Sequence, residues 1–404
     1  MLRALLFASL LTATAAFTQD KAPTVRPEVG KPLQAAIDLL KQRRAKEALA
    51  QARAAQGIPD KTPYESYMVT RVIGQAAAAA GDAASAAAAL ENAAASSAAP
   101  EADRRQLLAM AAGQYYTAKE YSKAAAVATR YFQYAGTDRS VRTIYINSLF
   151  QSGNYGGAAR ELASDVEEQE RAGKNPPEDQ LRLLANAYAQ SKDTAGYGRT
   201  MERLVALYPK RDYWLAVIDN VMRRSGFNER LQIDVARLKI EVGAMQRVDD
   251  YVDYAQLALI EGFPMEATRV IDKGYAGGVL GTGAEAARHK RLKDLAAKNL
   301  AEDRTAIADA EKRDTAGKDG KTLFNEGFNL VLNDKSAKGL AMMEQCLKTA
   351  AGFRRPDHAK LQLGYAYHLA GQNAKALDLF KVVQGTDGAA ALARLWVIKL
   401  NRPG

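Results

Sequence analysis

The stretch LGYAYHLAGQNAKALDLF, Leu363 to Phe380, decides how the rest of the chain is read. Gly364 is followed after three residues by Tyr367, after four more by Gly371, after five by Ala376 and after four by Phe380. Small residues at 364 and 376 suit a close crossing of two helices, because a bulky side chain would hold the axes apart. The aromatic at 367 suits the gap between one helix pair and the next. Gly371 suits the end of the first helix, where a left-handed backbone is needed. The spacing predicts two antiparallel helices joined by a tight turn.

The same spacing returns along the chain. Ala36, Leu39, Arg43, Ala48 and Ala52 follow it, as do Gly74, Ala77, Gly81, Ala86 and Leu90. So do Ala112, Tyr115, Lys119, Ala124 and Ala128, then Ile146, Leu149, Gly153, Ala158 and Leu162. Ala185, Tyr188, Lys192, Met201 and the closing Pro209 fit, with Tyr197 where a small residue belongs. Ala255, Ala258, Gly262, Ala267 and Ile271 fit, and Gly327, Leu330, Asp334, Gly339 and Met343 fit less well. The first members stand at 36, 74, 112, 146, 185, 255, 327 and 364, so successive differences are 38, 38, 34, 39, 70, 72 and 37. Each of the two long gaps has room for one diverged unit. The first holds two apolar-faced helical stretches broken at Ser225 and Gly226.

This pattern resembles the tetratricopeptide repeat across nearly the whole chain. The resemblance implies an all-α fold, a right-handed superhelical solenoid of antiparallel helix pairs. It also implies a concave groove lined by the first helix of each pair. Transferring the groove positions of that family gives Arg71, Gln75, Tyr116, Asn147, Phe150, Gln151, Arg182, Asn186 and Gln190 as candidate partner-binding residues. Amide side chains such as Asn147 and Asn186 donate to and accept from an extended peptide, and Tyr116 and Phe150 offer apolar contact. The same positions near the C-terminus are Phe324, Phe328, Val331, Leu332, Leu361, Tyr365, His368 and Leu369. That apolar set suits an amphipathic helix or packing against the array itself.

The second long gap contains GYAGGVLGTG, residues 274 to 283, ahead of a polar helix expected from about Ala284 to Ala316. Five glycines before a helix suggest a phosphate cradle, but Ala284 and Glu285 stand where a P-loop needs Lys and then Ser or Thr. The stretch before it has helical rather than strand spacing, so the loop reads as a connector. The alanine tract QAAAAAGDAASAAAALENAAASSAAP reads as close-packed helices to about Ala95 followed by a linker, because alanine is the strongest helix former.

The chain has 404 residues and a net charge of +10. Arg3, the apolar run ALLFASLLTATAA and the small residues Ala13 and Ala15 read as an export signal cleaved near Ala15 or Ala16. The expected organisation is a signal peptide over 1–16, a flexible N-terminus over 17–29 and helical repeats over 30–275. A Gly-rich connector with a long charged helix over 276–322 and C-terminal repeats over 323–404 complete it. One cysteine, Cys346, precludes an intrachain disulfide. No later segment is long and apolar enough for a transmembrane span.

Three histidines, His289, His358 and His368, lack metal-ligand spacing, and no HExxH, CxxC or GxSxG motif is present. No catalytic residue, cofactor or metal is expected, and in an exported chain the basic balance suggests acidic surfaces rather than nucleic acid. The resulting expectation is a non-catalytic scaffold or adaptor of the bacterial envelope, in the periplasm, binding a peptide or helix of a partner protein. Outer-membrane assembly, secretion and energised transport are the settings that the resemblance implies. The alternative expectation is a peptidoglycan- or polysaccharide-binding periplasmic protein.

Overall fold

The computed structural model describes residues 24–310, 320–349 and 355–401. The export signal expected over 1–16 lies outside these residues, as do 311–319, where the charged helix was expected to end. Among the described residues the fold is all-α, an array of antiparallel helix pairs without strands.

The pairs run in chain order. They are α1 (Pro27–Lys41) with α2 (Ala45–Gln56), α3 (Pro63–Ala79) with α4 (Ala83–Ala95), and α5 (Glu101–Thr117) with α6 (Tyr121–Gln133). Next come α7 (Arg139–Gln151) with α8 (Tyr155–Arg171), α9 (Glu178–Gln190) with α10 (Thr194–Leu207), and α11 (Arg211–Met222) with α12 (Gln232–Glu241). After α13 (Val248–Ile260) and α14 (Pro264–Ala276), a single long helix α15 (Ala286–Ala310) interrupts the pairing. The last pairs are α16 (Gly320–Leu332) with α17 (Ser336–Thr349) and α18 (Pro356–Leu369) with α19 (Asn373–Lys381), followed by α20 (Ala389–Leu400). Two expected boundaries move. Helix α1 starts inside the N-terminus expected to be flexible, because Pro27 suits a first turn and Val29 is fully buried. Helix α16 starts at Gly320, inside the break expected over 315–322.

The eight residues seven positions after the small mark all adopt left-handed backbone: Arg43, Gly81, Lys119, Gly153, Lys192, Gly262, Asp334 and Gly371, with φ between 60° and 82°. Each lies in a joint between the two helices of a pair. There the next amide reaches back over five residues, as from Glu120 to the Tyr115 carbonyl at 2.9 Å and from Lys335 to that of Leu330 at 2.9 Å. This closure satisfies carbonyls that the helix end would otherwise leave open. A non-glycine residue in this region costs roughly 1–2 kcal/mol, partly offset by the greater unfolded-state freedom of glycine. Lys119→Gly and Lys192→Gly are therefore each expected to stabilise the protein by about 0.5–1 kcal/mol, read as a higher urea midpoint. Lower midpoints would show that the lysine side chains make a compensating contribution.

Small residues stand where the paired helices cross. A Cβ added to Gly74 would lie 2.7 Å from Leu90 Cγ, and one added to Gly364 would lie 2.5 Å from the Phe380 ring. In the pair where Tyr197 occupies the small slot, Gly196 takes over: a Cβ there would lie 2.5 Å from the Tyr188 ring. The alanine tract folds as the end of α3 and all of α4, and Ala76, Ala77, Ala86 and Ala87 are completely buried.

The chain divides into two compact units, one through Glu161 and one from Leu162. In the first, Arg26 anchors the start of α1 by donating from its backbone amide and guanidinium to Glu65. Those bonds, with the capping bond from the Thr62 amide, hold the Glu65 carboxyl down at about 2. The second unit closes on itself. Its last helix, α20, packs on α10, α11, α12, α18 and α19. The turn before α20 docks on the α11–α12 joint, where the Asn228 amide donates to the Asp387 carbonyl at 2.9 Å and Arg230 pairs with Asp387. Gly388, at φ 105°, allows this approach, since a Cβ there would lie 2.6 Å from the Phe227 ring.

Candidate binding surface

In the first unit the expected groove residues lie on three first helices, Arg71 and Gln75 on α3, Tyr116 on α5, and Asn147, Phe150 and Gln151 on α7. Arg71 is engaged within the fold. Its Nη1 donates to Asp103 on α5 at 2.6 Å, and Tyr67 donates to the same carboxylate at 2.5 Å, so this trio fastens α3 to α5. Tyr116 packs edge-on against Tyr121 at 5.5 Å between ring centres, and Phe150 against Tyr155 at 5.1 Å, so each ring has a partner on the second helix of its own pair. Gln75 and Asn147 are half-buried and Gln151 is exposed; none of the three side chains has a hydrogen-bond partner among the described residues.

Arg182, Asn186 and Gln190 belong to the second unit. They are exposed along α9 at a spacing of four, which puts them in one row on one face. Glu178, one turn before Arg182, accepts from Tyr213 on α11 and from Lys210 just ahead of it, and so links successive first helices as the Arg71 trio does.

The apolar C-terminal set is covered from within the chain. Phe324, Phe328, Val331, Leu332, Leu361 and Tyr365 are each at most 5% exposed. Part of the cover is α12, a helix whose six residues Ile233–Leu238 are all buried. Arg237 of α12 lies among three rings, 4.8 Å from the Phe328 centre, 5.2 Å from Tyr365 and 5.6 Å from Phe263. Its guanidinium donates two parallel bonds to Glu266, both at 2.8 Å, and one to Asp234 at 3.0 Å. Tyr254 donates to Glu266 at 2.6 Å. Burial alone would raise the Asp234 carboxyl, but His358 and Arg237 outweigh it and hold it low. Burial would likewise weaken the Arg237 cation, yet Glu266 and Asp234 push its pKa well up. On the other side of this cluster Trp396 of α20 stacks on Phe380 at 5.7 Å and tilts against Tyr365 at 5.4 Å.

All three histidines serve packing in this unit. His358 and His368, both on α18, face Asp234 and Glu241 of α12 at 2.9 and 3.4 Å. The bond to Glu241 raises the His368 pKa. His289 is buried on α15, and its Nδ1 accepts from the Gly281 amide at 3.1 Å. That bond helps define the glycine loop. The Val279 and Leu280 amides both reach the Gly274 carbonyl at 3.0 Å, so three loop amides that a phosphate would need are already engaged. Cys346 is 7% exposed, and burial raises its thiol pKa, which disfavours the nucleophilic thiolate.

The Arg237 cluster was not among the candidate residues read from the sequence. Asp234 and Arg237 stand three apart, which any solvated helix face could show, and Glu266 lies two helices later.

These features define the chain as an all-α array of tetratricopeptide-like helix pairs. Solved structures that it matches include a tetratricopeptide repeat protein from Parabacteroides merdae, at 13% identity and a TM-score of 0.33, covering 67% of this chain and 98% of that one. The pentatricopeptide repeat protein PPR10 from maize matches at 16% identity and a TM-score of 0.32, covering 90% of this chain and 56% of that one. A TPR2AB-domain:pHSP90 complex of yeast Sti1 matches at 10% identity and a TM-score of 0.24, covering 74% and 99%. No protein-family model matches the sequence, and no curated protein matches it. Among the described residues no helix is long and apolar enough to cross a membrane.

Proposed function

We propose that the protein is an exported scaffold of the bacterial envelope that binds an extended segment of a partner protein along the first-helix face of its N-terminal unit. One observation carries the reading. Gln75, Asn147 and Gln151 keep their amide groups free of partners among the described residues, whereas Phe328, Leu332 and Tyr365 at equivalent positions near the C-terminus are buried and Leu369 is half-buried. Free amides on pre-formed helices recognise a peptide backbone with little ordering cost. The export signal read from residues 1–16 supports a periplasmic location, and adaptor work in outer-membrane assembly, secretion or energised transport fits that location.

A photo-crosslinking residue placed at Asn147 in the native bacterium tests this reading. The expected result is a discrete crosslinked protein, absent when the same residue is placed at exposed Ala126 on α6. The processed chain should appear in the periplasmic fraction with its N-terminus near Ala16. Identical products at both positions, or none at Asn147, would defeat the proposal. A product removed by wall-degrading digestion would transfer the reading to polysaccharide binding.

A further inference from the structure

Within the second unit a cleft of about 860 Å³ opens beside α10 and α11. Four arginines line it: Arg199 from α10, Arg223 and Arg224 just after α11, and Arg394 from α20. The one carboxylate in the lining, Glu202, faces Arg394 at 3.4 Å. Arg199, Arg223 and Arg224 have no carboxylate within ion-pair distance among the described residues. Four arginines against one carboxylate give the lining residues a net charge of +3. All four arginines are exposed, and Arg224 is placed by a close approach to α10. Gly198 lies against the Arg224 guanidinium and the Asn220 amide, where a Cβ would come within 3.2 Å and 2.7 Å of their nitrogens. Asn220 Nδ2 is buried without a hydrogen-bond partner among the described residues.

We infer that this cleft is a binding site for a ligand bearing several phosphate groups. Each guanidinium presents five N–H donors in a planar fork that matches phosphate oxygens, so three unpaired arginines call for more acceptors than one carboxylate has. The first turn of α10 contributes Thr194 and Ala195 to the lining, but its N-terminus is already capped by the Asp193 carboxylate, which accepts from the Gly196 amide at 2.8 Å, so recognition rests on the arginines. No aromatic ring lines the cleft, so the anionic groups rather than a stacked base provide recognition. The volume lies within the range of small-molecule sites, about 300–1,000 Å³. The site is separate from the peptide-binding face proposed for the first unit and does not depend on it.

Calorimetric titration of the full chain with inorganic tripolyphosphate tests the inference. Binding is expected for the native protein, weakened about tenfold or more by the double variant Arg199→Gln, Arg224→Gln. The charge-matched variant Arg105→Gln, Arg139→Gln, on exposed positions of the first unit, should bind like the native protein. If the double variant does not fold, Arg223→Gln alone is expected to weaken binding in the same direction. Absence of binding, or equal weakening in the charge-matched control, would overturn the proposal. Hexaglutamate binding as tightly as tripolyphosphate would also overturn it, in favour of an acidic protein segment. Sedimentation with phosphatidylglycerol but not phosphatidylcholine vesicles, blocked by tripolyphosphate, would identify a lipid headgroup as the phosphate source. Tripolyphosphate binding without vesicle binding would identify a soluble one.

Discussion

Replacing Arg237 by methionine is expected to destabilise the protein by about 3–5 kcal/mol, the usual cost of breaking a buried ion pair from one side. The substitution keeps much of the apolar volume among Phe263, Phe328 and Tyr365, so lost packing is the smaller part of the effect. The larger part is electrostatic. Asp234 and Glu266 are 1% and 3% exposed, and without the guanidinium only His358 beside Asp234 and the Tyr254 hydroxyl on Glu266 would remain to offset two buried carboxylates. A triple variant, Arg237→Met with Asp234→Asn and Glu266→Gln, removes all three charges and should recover much of the loss. Arg237→Lys should fall closer to the methionine variant than to the native protein, because an ammonium cannot make two parallel bonds to Glu266 and a third to Asp234. Urea unfolding of the four proteins reads these differences. Equal stability for the methionine variant and the native protein would mean that the cluster is solvated.

Gly339→Ala should cost about 3 kcal/mol, at the upper end of what overpacking usually costs. The added Cβ would lie 2.4 Å from the Gly327 carbonyl oxygen and 2.8 Å from the Val331 amide nitrogen. Both obstacles are backbone, so no side-chain rotation relieves the clash and α16 must move away from α17. Gly113→Ala is the informative comparison. Its Cβ would meet only the tip of Ile144, at 3.8 Å, and alanine is worth about 1 kcal/mol over glycine inside a helix. The same chemical change is thus expected to destabilise at 339 and to stabilise at 113. A shift of the same sign at both sites, measured as the thermal midpoint, would refute the account of helix crossing given above.

The spacing of small residues, read along one dimension, was enough to locate the pairs and their joints. The reason is local: a helix crossing needs a small side chain at a fixed distance from a turn, and a turn needs left-handed backbone at a fixed residue. Arg43, Lys119, Lys192 and Asp334 obey that geometry even though they are not glycine, because the surrounding pair imposes it. The diverged pair α11 and α12 was legible as two helices broken near Ser225 and Gly226. Its burial was not. The sequence of α12, QIDVARLKIE, carries four charged residues and looks like a surface helix by composition alone. Enclosure of α12 becomes possible only when Glu266, Tyr254, His358 and three aromatic rings arrive from elements far along the chain.

Groove positions show the same division. Register along each first helix places Gln75, Asn147 and Asn186 at equivalent sites, and that is a matter of counting from the small residue. Whether a site stays open depends on what packs over it. Tertiary structure engaged Arg71 with Asp103, covered Phe328 with Arg237 and gathered four arginines from three separate segments into one cleft. By itself, then, the sequence determined the helices, their pairing and the left-handed joints, since those rest on contacts between residues less than one repeat apart. Only the tertiary structure decided which faces are covered and where unpaired charge collects, because α20 meets α10–α12 through contacts between residues well over a hundred positions apart, a separation that no local spacing encodes.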